Sequence, residues 1–251
     1  NQNENISISD DGLTFAFGVW DTPENAYVYT WDGSAWNLKG SIISEPSSVS
    51  NFGKFLSLSG DGNSIIVGSD NYKHWVFKWS GTVWEQQGGY IDITGANNQR
   101  SQAINTDGTV IAVGDMGSTG EDGTIKIFDR NPSETNANHV GWTQRGNTIT
   151  DTSQDVMLGM NVYITSDGNM IATRMWNSSS QKNIYKYNSS NATWDNLPYD
   201  SNVDSNGLIR HVALSKFGTH IALINHNTSK VQVHEIAADY TYEQIPVYSG
   251  H

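Results

Sequence analysis

The sequence has 251 residues, a formal net charge of −12 and only 16% charged residues. No basic cluster interrupts this acidic background, which argues against nucleic acid and anionic membrane surfaces as partners, and no apolar run approaches the ~18 residues of a membrane-spanning helix. The absence of cysteine excludes disulfides, zinc–thiolate sites and thiol catalysis, while an aromatic content of 11% suits a packed core rather than disorder.

Taken in order, the chain opens on a short apolar strand, Ile6-Ser7-Ile8, followed by an Asp11-Gly12 turn. The clearest statement of the pattern is the second copy. Phe55 to Ser59 alternates apolar and small residues, as a strand with one packed face does. Gly60-Asp61-Gly62-Asn63 supplies a hairpin turn, since Asp-Gly reaches positive φ at low steric cost. Ile65-Ile66-Val67 reads as a buried strand, Trp75 to Trp79 as an aromatic third strand, and Val83 to Gln87 as a more polar edge strand.

The same grammar recurs along the whole chain. The turn glycine stands at Gly12, Gly62, Gly108, Gly168 and Gly218, at intervals of 50, 46, 60 and 50 residues. It is preceded by Asp11, Asp61, Asp107 and Asp167, and in the last copy by Phe217. Third strands end near Trp31, Trp79, Phe128, Tyr187 and His234, and fourth strands begin at Trp36, Trp84, Trp142, Trp194 and Tyr242. Repeats of about 40–50 residues, each a four-stranded sheet, predict an all-β chain forming one five-bladed β-propeller with four antiparallel strands per blade. The blades fall at about 1–45, 46–95, 96–150, 151–200 and 201–251, and the ring closes by side-chain packing between a complete first and a complete fifth blade.

The Gly60-Asp61-Gly62 turn followed by Ile65-Ile66-Val67-Gly68 resembles the inner hairpin of WD-type repeats. The Phe52-Gly53 lead-in, repeated as Leu158-Gly159, together with the closing Val67-Gly68, is similar to FG-GAP repeats. The copies also resemble the secreted tandem-repeat propellers of marine protists. The resemblance implies a fold and no particular activity. Two features depart from it: the turn lacks the spaced carboxylates of a calcium-binding propeller loop, and the Gly-His and Trp-Asp signatures of WD repeats are missing as a set (Trp31-Asp32 stands alone).

The inner strands carry no acid, and no Ser-His-Asp or phosphate-cradling arrangement stands out, so the chain is expected not to be an enzyme. The Asp-Gly carboxylates are read as turn formers placed away from a central channel. Asp115, Glu121 and Asp122 lack the spacing of a calcium loop, and no metal or cofactor is expected. His211, His220, His226 and His234 are read as surface or edge residues. His220 and His226 bracket one strand and would stand about 20 Å apart.

The candidate ligand site lies in the loops between second and third strands. Nine residues after the turn glycines come Asp21, Asn71, Gly117, Asn177 and Asn227, preceded by Trp20, Asp70, Met116, Trp176 and His226. With Asp115, these aromatic–polar pairs suit either glycan recognition or simple turn formation and packing. Asn5, Asn177, Asn188, Asn191 and Asn227 begin Asn-x-Ser/Thr sequons, which favours an extracellular or cell-surface glycoprotein. The sequons avoid the second and third blades. The expected function is therefore a structural, protein-interacting propeller that contacts other chains through those blades, by residues such as Tyr72, His74 and Tyr90. A lectin-like propeller that binds glycans at repeated sites is the alternative, and a glycoside hydrolase is a third reading that ranks below it. Two polar insertions in the third blade, 116–123 and 131–141, are further places where function is expected.

Overall fold

The computed structural model describes residues 6–46, 51–70, 72–93, 100–117, 123–150, 158–174, 184–197, 209–225, 231–237 and 242–245. Every helix or strand assigned among them is a β-strand, and the strands form five sheets. The first sheet holds β1 (Ile6–Ile8), β2 (Thr14–Val19), β3 (Asn25–Trp31), β4 (Trp36–Leu38) and β5 (Ile43–Ser44). The second holds β6 (Phe55–Leu58), β7 (Ser64–Gly68), β8 (Lys73–Trp79), β9 (Trp84–Gln86) and β10 (Ile91–Asp92). The third holds β11 (Arg100–Ile104), β12 (Val110–Asp115), β13 (Thr124–Arg130), β14 (Trp142–Gln144) and β15 (Ile149–Thr150). The last two are four-stranded: β16 (Asn161–Ile164) to β19 (Thr193–Asn196), with β17 (Met170–Arg174) and β18 (Ile184–Asn188) between them, and β20 (Ile209–Leu214) to β23 (Tyr242–Ile245), with β21 (His220–Asn225) and β22 (Val231–Ile236) between them.

The fifth strand in the first three sheets corrects the expectation of four per sheet. After the fourth strand the chain returns to the free half of the third, pairing Ala26 with Ile43, His74 with Ile91 and Ile125 with Ile149. Each returning strand is only two residues long, below what an alternation pattern can reveal, yet Ile43, Ile91 and Ile149 are all buried. The turn reading holds without exception: Gly12, Gly62, Gly108, Gly168 and Gly218 lie at φ between 68° and 75°, where a Cβ is strained. Gly218 keeps that geometry although Phe217 replaces the aspartate, so glycine, rather than the Asp-Gly pair, is the requirement.

The chain divides into two compact units, one of Asn1–Asn98, Gln102–Ala112 and Ile127–Arg145, the other of Gln99–Ser101, Val113–Lys126 and Gly146–His251. In the first unit, Ala16, Ala26, Val28 and Ile43 from one face of the first sheet pack on Phe52, Leu56, Leu58, Ile65, Val67, Trp75 and Phe77. In the second, Met170, Ala172 and Ile184 meet Val212, Ile221, Leu223 and Ile236. Small residues on one sheet facing large ones on the next allow close packing of two twisted sheets.

Main-chain contacts lock successive repeats together. Gly53 lies against Gly18, the residue that would carry a Cβ only 1.9 Å from the Gly53 carbonyl oxygen, and Gly159 lies against Gly114 in the same way, at 2.4 Å. The lead-in glycine of one repeat thus packs on a glycine near the end of the second strand, β2 or β12, of the preceding repeat. Indole N–H groups add a second link, Trp84 donating to the Lys39 carbonyl at 2.7 Å and Trp142 to the Gln87 carbonyl at 2.8 Å. The inner turns form a third. Asp10 N–H donates to Gly60 O at 2.8 Å, Asp61 N–H to Thr106 O at 2.9 Å and, in the second unit, Ser166 N–H to Lys216 O at 2.7 Å. The Thr106 hydroxyl also reaches the Asp10 carboxylate at 3.1 Å, so three turns of the first unit converge.

Candidate binding site around Trp20, Lys54 and Asp70

Three segments of the first unit build one cluster: the loop after β2, the loop after β7 and the lead-in to β6. Phe52 is fully buried against the Trp75 ring, at 5.6 Å between centroids, and its N–H donates to Glu24 Oε2 at 2.9 Å. This anchor, with Gly53 pressed on Gly18, fixes where Asn51 and Lys54 emerge. Lys54 Nζ contacts both Asp70 carboxylate oxygens, at 2.8 and 2.9 Å, and stands 6.0 Å from the Trp20 ring centroid and 5.6 Å from that of Phe55. The Asn51 amide donates to Asp70 Oδ2 at 2.5 Å. Trp20 itself is 41% exposed.

The part-exposed Lys54–Asp70 pair contributes at most about 1 kcal/mol to stability. Its chemical value is placement. An indole face, an ammonium, a carboxylate and an amide stand side by side on a backbone held by buried phenylalanine and paired glycines. Such a surface can stack on an apolar face while offering donors and acceptors to a polar ligand.

Of the residues singled out from sequence, Trp20 and Asp70 are brought together here, and Asp21 is exposed beside Trp20. Lys54 and Asn51, which join them, were missed; they flank the Phe52-Gly53 motif, whose fixed geometry was the available signal. Asp115 is 4% exposed and accepts the Gly117 N–H at 3.3 Å, a turn-forming role. Asn71, Trp176, Asn177, His226, Asn227 and Asn5 lie outside the described residues, as do Glu121 and Asp122. Of the remaining sequons, Asn191 is exposed at the β18–β19 turn. Asn188 is half-buried and holds Asp195 and the Ser190 N–H.

Of the expected contact residues, His74 is withdrawn from the surface, while Tyr72 and Tyr90 are half-buried. His74 is fully buried, with Nδ1 2.5 Å from Gln102 Oε1, and the Gln102 amide donates to the Ile66 carbonyl. Tyr90 packs on Trp75 and lies under the Lys73 ammonium at 4.3 Å. The 131–141 insertion is built into the sheet: Gly89 N–H donates to Val140 O and Asp92 N–H to Asn138 O, and Arg130 donates to Gly141 O.

The repeated turn carboxylates are engaged by their own turns. Asp11 accepts the Ser9 hydroxyl at 2.6 Å and the Leu13 N–H at 2.9 Å, and these bonds hold its pKa below the ordinary value. Burial opposes ionisation of Asp167, but the Thr165 hydroxyl and Asn169 donors outweigh it. Among the described residues no cluster of His, Asp and Glu could hold a metal ion. We expect the melting temperature to be unchanged by EDTA; a fall of several degrees would show otherwise.

His234 departs from the surface reading. It is 2% exposed, between Ile221 and Gln244 in the sheet register, and neither ring nitrogen has a hydrogen-bond partner among the described residues. Burial lowers its pKa from the ordinary 6.5. The unfolded chain therefore takes up a proton that the folded chain refuses. Stability should be greatest above pH 6.5 and decline as pH falls from there toward the lowered folded value. Urea melts between pH 5 and 8 should show this slope, and His234→Leu should flatten it. An unchanged slope would assign the pH response to other groups.

No protein-family model matches the sequence, and no curated protein matches it. Solved structures do match. The β-propeller domain of Cps50 (Swd1) from Myceliophteria thermophila aligns over 96% of this chain and 71% of its own, with a TM-score of 0.59 and 9% identity. A putative 6-phosphogluconolactonase from Bacteroides fragilis aligns over 95% and 68%, at 0.57 and 13%. The periplasmic gluconolactonase PpgL of Pseudomonas aeruginosa aligns over 96% and 68%, at 0.58 and 13%. At these identities the likeness shows the fold, which is that of β-propellers. It also corrects the expectation that the chain is not an enzyme. That expectation leaned on a propeller with bare inner strands, and two of the structures sharing this fold carry the names of lactonases. The architecture hosts catalysis and gives no ground for excluding it.

Proposed function

We propose that this chain is a binding propeller that engages another protein chain outside the cell or at its surface. The observation that carries the reading is exposed Trp20 beside the half-buried Lys54–Asp70 pair, on a backbone anchored by buried Phe52 and by Gly53 packed on Gly18. Binding sites on propellers belong to such loops on a rigid frame. Support for the compartment comes from the sequons, with Asn191 exposed in a turn where a glycan would be tolerated. The second and third repeats, free of sequons, are the proposed contact side, with exposed Val83 and Val140 upon it and the Trp20 cluster at its edge.

Glycan binding is the second reading, favoured by the indole face beside amide and carboxylate groups. One comparison separates the two. Lysine-directed cross-linking of native material should join Lys54 or Lys73 to a different polypeptide, and Trp20→Ala should abolish that product without lowering the melting temperature. Cross-links confined to other repeats would overturn the reading. A glycan-array signal lost in Trp20→Ala would transfer it to carbohydrate.

A further inference from the structure

Among the described residues of the first unit, the first sheet has one face buried and the other open. Its open face carries two cross-strand rows, Ile8–Phe15–Tyr29–Leu38 and Ile6–Phe17–Tyr27, fixed by the strand register. The rings stack along it, Phe15 on Tyr29 at 5.3 Å and Phe17 on Tyr27 at 5.1 Å, with the Trp36 edge on Phe15 at 4.8 Å. Ile6 and Ile8 are 66% and 60% exposed. A surface this apolar is unusual for an isolated chain.

The repeat says what should lie there. The same rows in the second sheet are Leu58–Ile65–Phe77 and Leu56–Val67–Trp75, and all six residues are buried because the preceding sheet covers them with Ala16, Ala26 and Val28. In the fifth sheet the counterparts Ile221 and Leu223 are likewise covered by Met170, Ala172 and Ile184. Trp36 repeats the lesson. Its counterparts Trp84 and Trp142 donate their indole N–H to a carbonyl of the preceding repeat, whereas Trp36 is exposed and has no such acceptor among the described residues. The chain covers nearly all of itself but only 68–71% of each of the three propellers described above, which leaves those chains longer by roughly two repeats of this size.

We infer that the open face of the first sheet is the seat of a further four-stranded blade of this same repeat, carried on the same polypeptide outside these 251 residues. The inference rests on the fold and is independent of the binding reading.

The test compares Phe17→Ala with its counterpart Val67→Ala. In the 251-residue chain, monomeric by sedimentation, Phe17→Ala should shift the urea midpoint several-fold less than Val67→Ala, although it removes more atoms. In the natural polypeptide the two should cost alike, and its intact mass should exceed 27.6 kDa by roughly two repeats. A natural mass of 27.6 kDa, or a large cost at Phe17 in the monomeric 251-residue chain, overturns the inference. So does a concentration-dependent dimer that Phe17→Lys abolishes, since a second copy would then be the occupant.

Discussion

Replacing Gly18 with alanine should cost more stability than any other single methyl added to the first unit. The new Cβ would sit 1.9 Å from the Gly53 carbonyl oxygen, 2.7 Å from its carbonyl carbon and 3.0 Å from its Cα. All three are backbone atoms, so no side-chain rotation relieves the overlap. Gly53 cannot retreat easily, because its own φ of 88° and the buried Phe52 beside it fix the lead-in. Overpacking a core costs typically 1–3 kcal/mol where neighbours can shift, and here the sheets themselves would have to separate, so a loss of about 3 kcal/mol or more is expected. Gly12→Ala is the control: its Cβ meets nothing within 4 Å, and only the positive φ is strained, at about 1–2 kcal/mol. Chemical denaturation of both variants gives the comparison. Equal losses would mean that backbone conformation, and not the contact between repeats, sets the glycine requirement.

Truncating Ile66 to alanine should be of similar size for the opposite reason. Ile66 is fully buried in β7, paired with Ser57 and Val76, and its carbonyl accepts the buried Gln102 amide at 2.9 Å. The cavity would be lined by strands braced on both sides and could collapse little, which places the loss at about 2–5 kcal/mol. Ile66→Val should keep most of that stability. A loss below about 1 kcal/mol for the alanine variant would show that the second sheet relaxes into the space.

Much of the architecture was legible because the repeat repeats its constraints. Five glycines forced to positive φ and the aromatic residues at the head of the fourth strand gave the number of sheets and most of the strand boundaries. What escaped were features that depend on approach rather than on pattern. β5, β10 and β15 are two residues long and carry a single buried isoleucine each, too little to show periodicity. His74 and His234 look like polar surface residues in sequence, yet both occupy inward positions of apolar strands. The candidate site was half legible: Trp20 and Asp70 followed from their spacing to the turn glycine. Lys54 joins them only because Gly18 and Gly53 bring the lead-in against the preceding repeat.

The pairing of strands that lie close together in sequence has a consequence for how the molecule is made. Every sheet closes within about 55 residues of continuous chain, so its contacts are of low order and each can assemble while later repeats are still being synthesised. The first sheet can pair its strands once Ser44 has left the ribosome, but Ala16, Ala26 and Val28 stay uncovered until Phe77 follows. Translation therefore exposes at any moment one sheet's worth of sticky surface rather than a whole unfolded domain, and the emerging repeat is itself the cover for the last.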